Sequence, residues 1–243
     1  MNLYADSDLP IRAALVQAHT DTLHSFAAPG HWYSGAERRA LVTAARQARV
    51  EAGLQEVDAS SAGASVSSAL PASVQKIARQ VAVSTNDLER SFFEQALAAG
   101  ISDAQYVEIV GVVSRVVNVD VFARGIGVPL RPLPAATDGA PSQHRPRTAR
   151  DEGAWVPTIP GGARGEDEAK QVYGSADPQA APFIYRALSL VPGEAVGLMQ
   201  LGAAQYLEIS NFMDLEFTFE PTLTRPQYEL LAARVSALNE CFY

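Results

Sequence analysis

The sequence predicts an all-α fold, and three observations predict it. Apolar residues recur every three to four positions through most of the chain, the spacing of a buried helix face. Helix start and stop residues bracket these runs: Ser34 with Glu37, Thr224 followed by Pro226, and glycines at 53 and 100. The segment 102–127 is rich in β-branched residues, which locally favours strand. Its interruptions Glu108, Gly111, Arg115 and Asn118 nevertheless fall three, four and three apart, on one face of a helix.

The first helix is expected over 8–26, capped by Asp8 and with Pro10 in its first turn. Ile11, Leu15, Ala18, Thr22 and Phe26 form its stripe. "APGH" then breaks the chain. The second helix runs from Ser34 to about Ala52, with a capping-box pattern at its start and Gly53 as its stop. "EVDASSAGASVSSAL", Ser/Ala-rich with few large apolar residues, reads as a mobile connection. Helical patterns resume in "PASVQKIARQVA", in "STNDLERSFFEQALAAG" with Gly100 as its C-cap, and in 102–127, a largely buried helix.

From Val128 to Pro182 the chain is dense in Pro and Gly and lacks strong periodicity. A segment so long is a linker or a loop laid across the surface. Trp155, Val156 and Ile159 offer apolar area to anchor it. Its basic run "SQHRPRTAR" reads as a solvated loop rather than an anion site. "PFIYRALSLVPGEAVGLMQLGAAQYLEISNFM" holds two helices separated near "VPGE". The last helix opens with Thr224 and Pro226; Tyr228, Leu231, Val235 and Leu238 form its stripe, which Phe242 continues. Three regions result: a helical unit at 1–128, the Pro/Gly-rich segment at 129–182 and a second helical unit at 183–243.

The chain has 19 basic and 27 acidic residues, a net charge of −8, so nucleic acid and anionic membrane are not expected partners. Glu108, Arg115, Asn118, Asp120 and Arg124 interrupt its most apolar stretch, which argues against a membrane span. The N-terminus has acidic residues and no apolar signal-peptide core; the cytoplasm is the expected compartment. A single cysteine rules out an internal disulfide in these residues. No phosphate loop, serine elbow or metal signature is present, and His19, His24 and His31 are not at ligand spacing.

The single cysteine, Cys241, lies in "SALNECFY", where the last helix shows no stop signal and is expected to continue through it. Glu229 precedes it by twelve residues, about a third of a turn away in azimuth on an ideal helix. "LTRPQYELLAARVSALNECFY" resembles the redox helix of the AhpD-like alkylhydroperoxidase and carboxymuconolactone decarboxylase superfamily. In its redox members a Glu precedes a Cys-x-x-Cys pair and a His follows. Glu229 matches that Glu and Cys241 the first redox Cys; the second Cys and the His have no counterpart here. "ISDAQYVEIVGVVSRVVNVDVFARGIGVPLRPLP", "HRPRTARDEGAWVP" and "RALSLVP" resemble a doubled, peroxidase-related subgroup. Some of its members carry selenocysteine at the second redox position. The expectation is therefore a recoded UGA after Tyr243; a nonsense mutation and a family branch that has lost the pair are the alternatives. "SGAERRALVTAARQARVEAGL", with Glu37 in its first turn, resembles a worn copy of the same helix without cysteine.

The resemblance implies an AhpD-like helical bundle of two related units, no cofactor, a hydroperoxide substrate, a dithiol or thioredoxin- or glutathione-type reductant, and a homo-oligomer. It implies that Glu229 acts as base, that a selenol or thiol attacks the O–O bond, and that Cys241 resolves the product. The 243 residues alone are expected to be peroxidatically inactive. Two other readings are open: a cofactor-free decarboxylase-like enzyme, which the missing His disfavours, and a non-catalytic helical oligomerisation or binding protein. Without the resemblance, Cys241 reads as a small apolar helix residue and Glu229 as a first-turn carboxylate.

Overall fold

The structure, a computed structural model, describes residues 2–56, 70–174, 181, 183–208, 211–218 and 222–241. They form nine α-helices and, among the described residues, no strand: α1 (Ala13–Ala27), α2 (Gly35–Glu51), α3 (Ala72–Val83), α4 (Arg90–Ala98), α5 (Asp103–Gly125), α6 (Glu166–Tyr173), α7 (Phe183–Arg186), α8 (Pro192–Gln205) and α9 (Arg225–Leu238). A lone antiparallel bridge joins Arg150 and Thr158. The chain is all-α, as its periodicity predicts. No helix among the described residues is long and apolar enough to cross a membrane.

Two compact units divide the chain, Met1–Leu201 and Gly202–Tyr243. In the first, α5 is the central element and touches α1, α2, α3 and α4. Its start is set locally. Ser102 Oγ accepts from the Gln105 amide at 3.1 Å, and the Gln105 side chain accepts from the Ser102 amide at 2.9 Å. These two bonds satisfy donors that the first helical turn leaves open. Ile109, Val112, Val113, Val116 and Val119 of α5 pack with Leu23, Phe26, Leu41, Val42 and Ile77. Each such side chain, fully withdrawn from water, contributes about 1.5–3 kcal/mol. That burial overrides the strand preference of a Val-rich run.

The same unit holds most of the Pro/Gly-rich segment. The described part of 129–182 is hydrogen-bonded to the helices around it. Thr137 N donates to Ala27 O at 2.8 Å, Ser142 N to Gly30 O at 3.1 Å and Gln143 N to His31 O at 2.7 Å. Ile159 is fully buried; its amide donates to Ser189 Oγ and its carbonyl accepts from Tyr173 Oη. The anchor is thus Ile159, whereas Trp155 stays partly open beside Phe93. The expected boundaries at 128/129 and 182/183 therefore do not coincide with the two units, because these bonds tie the segment to the helices before it.

Local signals succeeded unevenly. The Ser34–Glu37 capping box forms at α2. Asp8 does not cap α1, which starts at Ala13 after Arg12 with no side-chain cap; the preceding chain turns instead on Ser7, whose hydroxyl accepts from the Leu9 amide. The Ser/Ala-rich connection lies mostly at 57–69, outside the described residues, as does Phe242.

The helix ends correct a further expectation. α9 stops at Leu238, and Cys241 lies beyond it. Glu240 N donates to Ala237 O and Cys241 N to Ser236 O, the paired bonds of a Schellman end. α2, α4 and α5 close in the same way, with Gly53, Gly100 and Gly127 in the left-handed position at φ of 68°, 85° and 75°. At α9 that position holds Glu240 at φ 52°, where a Cβ crowds the backbone. The stop is present in the backbone but not in the residue type.

A buried histidine adds a pH dependence. His19 on α1 is fully buried, 2.5 Å from the Tyr4 hydroxyl and edge-on to Phe122. Burial lowers its pKa from 6.5 to about 4. Between those values the unfolded chain takes up the proton and the folded chain does not. Stability is therefore full above about pH 6.5 and falls towards pH 4, by about 3 kcal/mol for this group. Urea unfolding across that range is expected to show the fall, and His19→Gln to flatten it. Separately, Glu240→Gly is expected to stabilise the end of α9 by about 0.5–1 kcal/mol, read as increased amide-exchange protection in its last turn.

Candidate functional site

Glu229 sits in the second turn of α9, inside the second unit. Arg225, one turn earlier, donates Nε–H to its Oε1 at 2.6 Å, an i,i+4 pair. The Tyr206 hydroxyl donates to its Oε2 at 2.7 Å. These two hydrogen bonds, Tyr206 first, hold the Glu229 carboxyl below the usual range, because donors favour the charged form.

Arg225 is the one buried residue among those described in α9. Its remaining nitrogens reach the carbonyls of Asn211 (3.2 Å), Asp214 (3.0 Å) and Phe212 (3.1 Å). The guanidinium thus ties the 211–214 turn to the helix while its Nε aims the carboxylate. Five fixed donors on one plane suit it to this double task.

Cys241 is exposed and carries a free thiol. It lies past the Schellman end, so a helix azimuth does not describe its position relative to Glu229. The two residues stand at opposite ends of α9, and both Glu229 oxygens are directed to Tyr206 and Arg225. The flanking apolar residues Leu230, Leu231, Val235 and Leu238 are largely exposed.

The first unit holds a different constellation, which the sequence reading did not assemble. Arg38 on α2 pairs with Glu108 on α5 and, at 2.8 Å, with Glu194 on α8. Glu194 also pairs with Arg115 on α5. All four side chains are at most 4% exposed. Two carboxylates and two guanidiniums make the group neutral. The Trp32 amide donates to Glu108 Oε2 at 2.6 Å, and Arg115 donates to Ser25 Oγ at 3.1 Å and lies over the Phe26 ring.

The two carboxylates differ. Glu194 receives both arginines, which hold its carboxyl down against the cost of burial. Glu108 shares Arg38 and has no second arginine, and burial pushes its carboxyl up. Close approach depends on missing side chains: a Cβ on Gly111 would lie 2.6 Å from Glu194 Cβ, and one on Gly197 2.5 Å from Arg115 Nη1.

The other polar candidates resolve as structure. His19 is buried against Tyr4, His24 is exposed, and His31 lies beside His144. Among the described residues no cluster could hold a metal ion. Arg145 and Arg147 of the basic run are exposed but paired, with Asp103 and Glu166. Of the residues missed, Arg225 was recoverable from its four-residue offset to Glu229. Tyr206 was not, since nothing local links it to α9.

Removing one partner strands the others in a buried site. Glu194→Gln is expected to cost about 3–5 kcal/mol, and Gly111→Ala about 1–3 kcal/mol by overpacking, both read from urea unfolding of the intact chain. Comparison of the chain with protein-family profiles, with curated proteins and with solved structures finds no match.

Proposed function

We propose that the chain is an AhpD-like thiol or selenol peroxidase. In this reading α9 carries the base Glu229 and Cys241 is the first member of a Cys-x-x-Cys or Cys-x-x-Sec pair. The second member is not among the 243 residues. The observation that carries the reading is a carboxylate on α9 held ionised by two donors, with an exposed thiol just past the end of that helix, in the segment whose residues resemble the redox helix.

The chemistry follows from those groups. An ionised selenol or thiol attacks the terminal oxygen of a hydroperoxide and breaks the O–O bond. The alcohol leaves with a proton, and a selenenic or sulfenic acid remains. The Cys241 thiol then condenses with it, releasing water and forming a selenenylsulfide or disulfide. Two electrons from an external dithiol reopen that bond. Glu229 serves as proton acceptor for the attacking group.

A second reading has its own support. Leu230, Leu231, Val235 and Leu238 expose an apolar run on α9, which suits a helix that docks against another surface. A non-catalytic homo-oligomer of the same fold would use it without thiol chemistry.

One comparison decides between them. The 243 residues with tert-butyl hydroperoxide and dithiothreitol are expected to show no turnover, and the same chain extended by a cysteine three places after Cys241 and a histidine four places after that to be active. An inactive extended chain, or brisk turnover by the 243 residues, would overturn the proposal.

A further inference from the structure

The second unit devotes its most buried polar side chain to one carboxylate. Arg225 is 6% exposed, and each nitrogen of its guanidinium is engaged: Nε on Glu229, Nη1 on the carbonyls of Asn211 and Asp214, Nη2 on that of Phe212. Surface i,i+4 pairs are ordinarily mobile and weak. This one is not free to move, because three backbone carbonyls fix the arginine from the other side. Tyr206, 23 residues before Glu229 and carried by a different segment, closes the second oxygen at 2.7 Å. Glu229 is therefore held from two directions, by its own helix and by the chain that follows α8.

We propose that Tyr206 and Arg225 are positioning residues for Glu229: together they fix where its carboxylate points and set the lower pH limit at which it accepts a proton. The inference rests on the peroxidase reading for its functional half. Its structural half stands on the geometry alone.

A hydrogen bond donated to an ionised oxygen stabilises the charge and lowers the group's proton affinity. Tyr206 and Arg225 are the titratable and charged groups acting on Glu229, and both act in that direction. With both in place the base is ionised throughout the neutral range but is a weaker proton acceptor. Orientation compensates, since a base acts only within hydrogen-bond reach of its proton. Tyr206 is the cleaner handle. Its ring can remain when its hydroxyl is removed, whereas Arg225 also secures the 211–214 turn.

The experiment has two arms in one set of proteins, wild type, Tyr206→Phe and Arg225→Lys. The first follows the Glu229 carboxyl carbon by NMR through an acid titration of the full chain. The expected result is a titration midpoint that moves to higher pH in Tyr206→Phe, with the helical circular dichroism unchanged. An unmoved midpoint overturns the inference.

The second arm measures the pH–rate profile of tert-butyl hydroperoxide turnover, with dithiothreitol as reductant, in the same proteins extended by a cysteine three places after Cys241 and a histidine four places after that. The acid limb is expected to move to higher pH in Tyr206→Phe, and the rate above the limb to fall because the carboxylate is no longer aimed. An unmoved limb with the rate lowered equally at all pH values is the result of a purely structural role, and it overturns the inference. Arg225→Lys, which keeps the charge and loses the fork, is expected to shift the limb the same way. If the extended chain with Tyr206 and Arg225 unchanged shows no turnover, the peroxidase reading fails, and the NMR arm alone upholds or overturns the positioning role.

Discussion

Glu194 and its two arginines are the interaction on which the first unit depends. Arg38 comes from α2, Arg115 from α5 and Glu194 from α8, so one carboxylate fastens three helices that are far apart in the chain. Charges this deeply buried carry a desolvation cost of several kcal/mol per ion, which only close pairing and full hydrogen bonding offset. The arrangement meets that condition by balance: each arginine meets a carboxylate, and Glu108, the fourth member, also takes the Trp32 amide. Its position explains the sequence nearby. Gly111 and Gly197 leave the room that Glu194 and Arg115 occupy. The face of α5 that carries Glu108, Gly111 and Arg115 is a buried polar seam rather than a solvent face.

That seam marks where the sequence stops being legible. The spacing of Glu108, Gly111 and Arg115 identifies a helix, and α5 is one. It does not say whether the polar face meets water or partners, because the partners Arg38 and Glu194 are 70 and 86 residues from Glu108. Local chemistry transmits well by comparison. Ser34 with Glu37 and the glycines at 53 and 100 mark real helix ends. The end of α9 escaped because a glutamate occupies the left-handed position that glycine fills elsewhere. Asp8 misled because a good capping residue near a helix start caps only if the helix begins beside it, and α1 begins at Ala13.

The candidate site shows the same division. Glu229 and Cys241 were legible as residues from the resemblance of their segment. Arg225 lies within one helical turn of Glu229 and follows from spacing. Tyr206 arrives from outside the helix, and only the fold brings it to the carboxylate. The two units also use arginine alike. In each, a buried guanidinium joins a carboxylate to a second element: Arg38 joins helices, and Arg225 joins a helix to a turn.

The Pro/Gly-rich strap has a kinetic consequence. Helical proteins usually form from neighbours in sequence and fold quickly for that reason. Here Ala27, Gly30 and His31 find backbone partners at Thr137, Ser142 and Gln143, and Arg38 finds Glu194, 156 positions away. Each of these contacts closes a loop of more than a hundred residues, and the entropy of that closure precedes any reward. The helices can form early. The strap and the ionic seam can form only once both ends of the first unit exist. During synthesis, α2 and α5 emerge with Arg38, Glu108 and Arg115 in place but without Glu194, so the bundle completes its charge balance only when α8 leaves the ribosome.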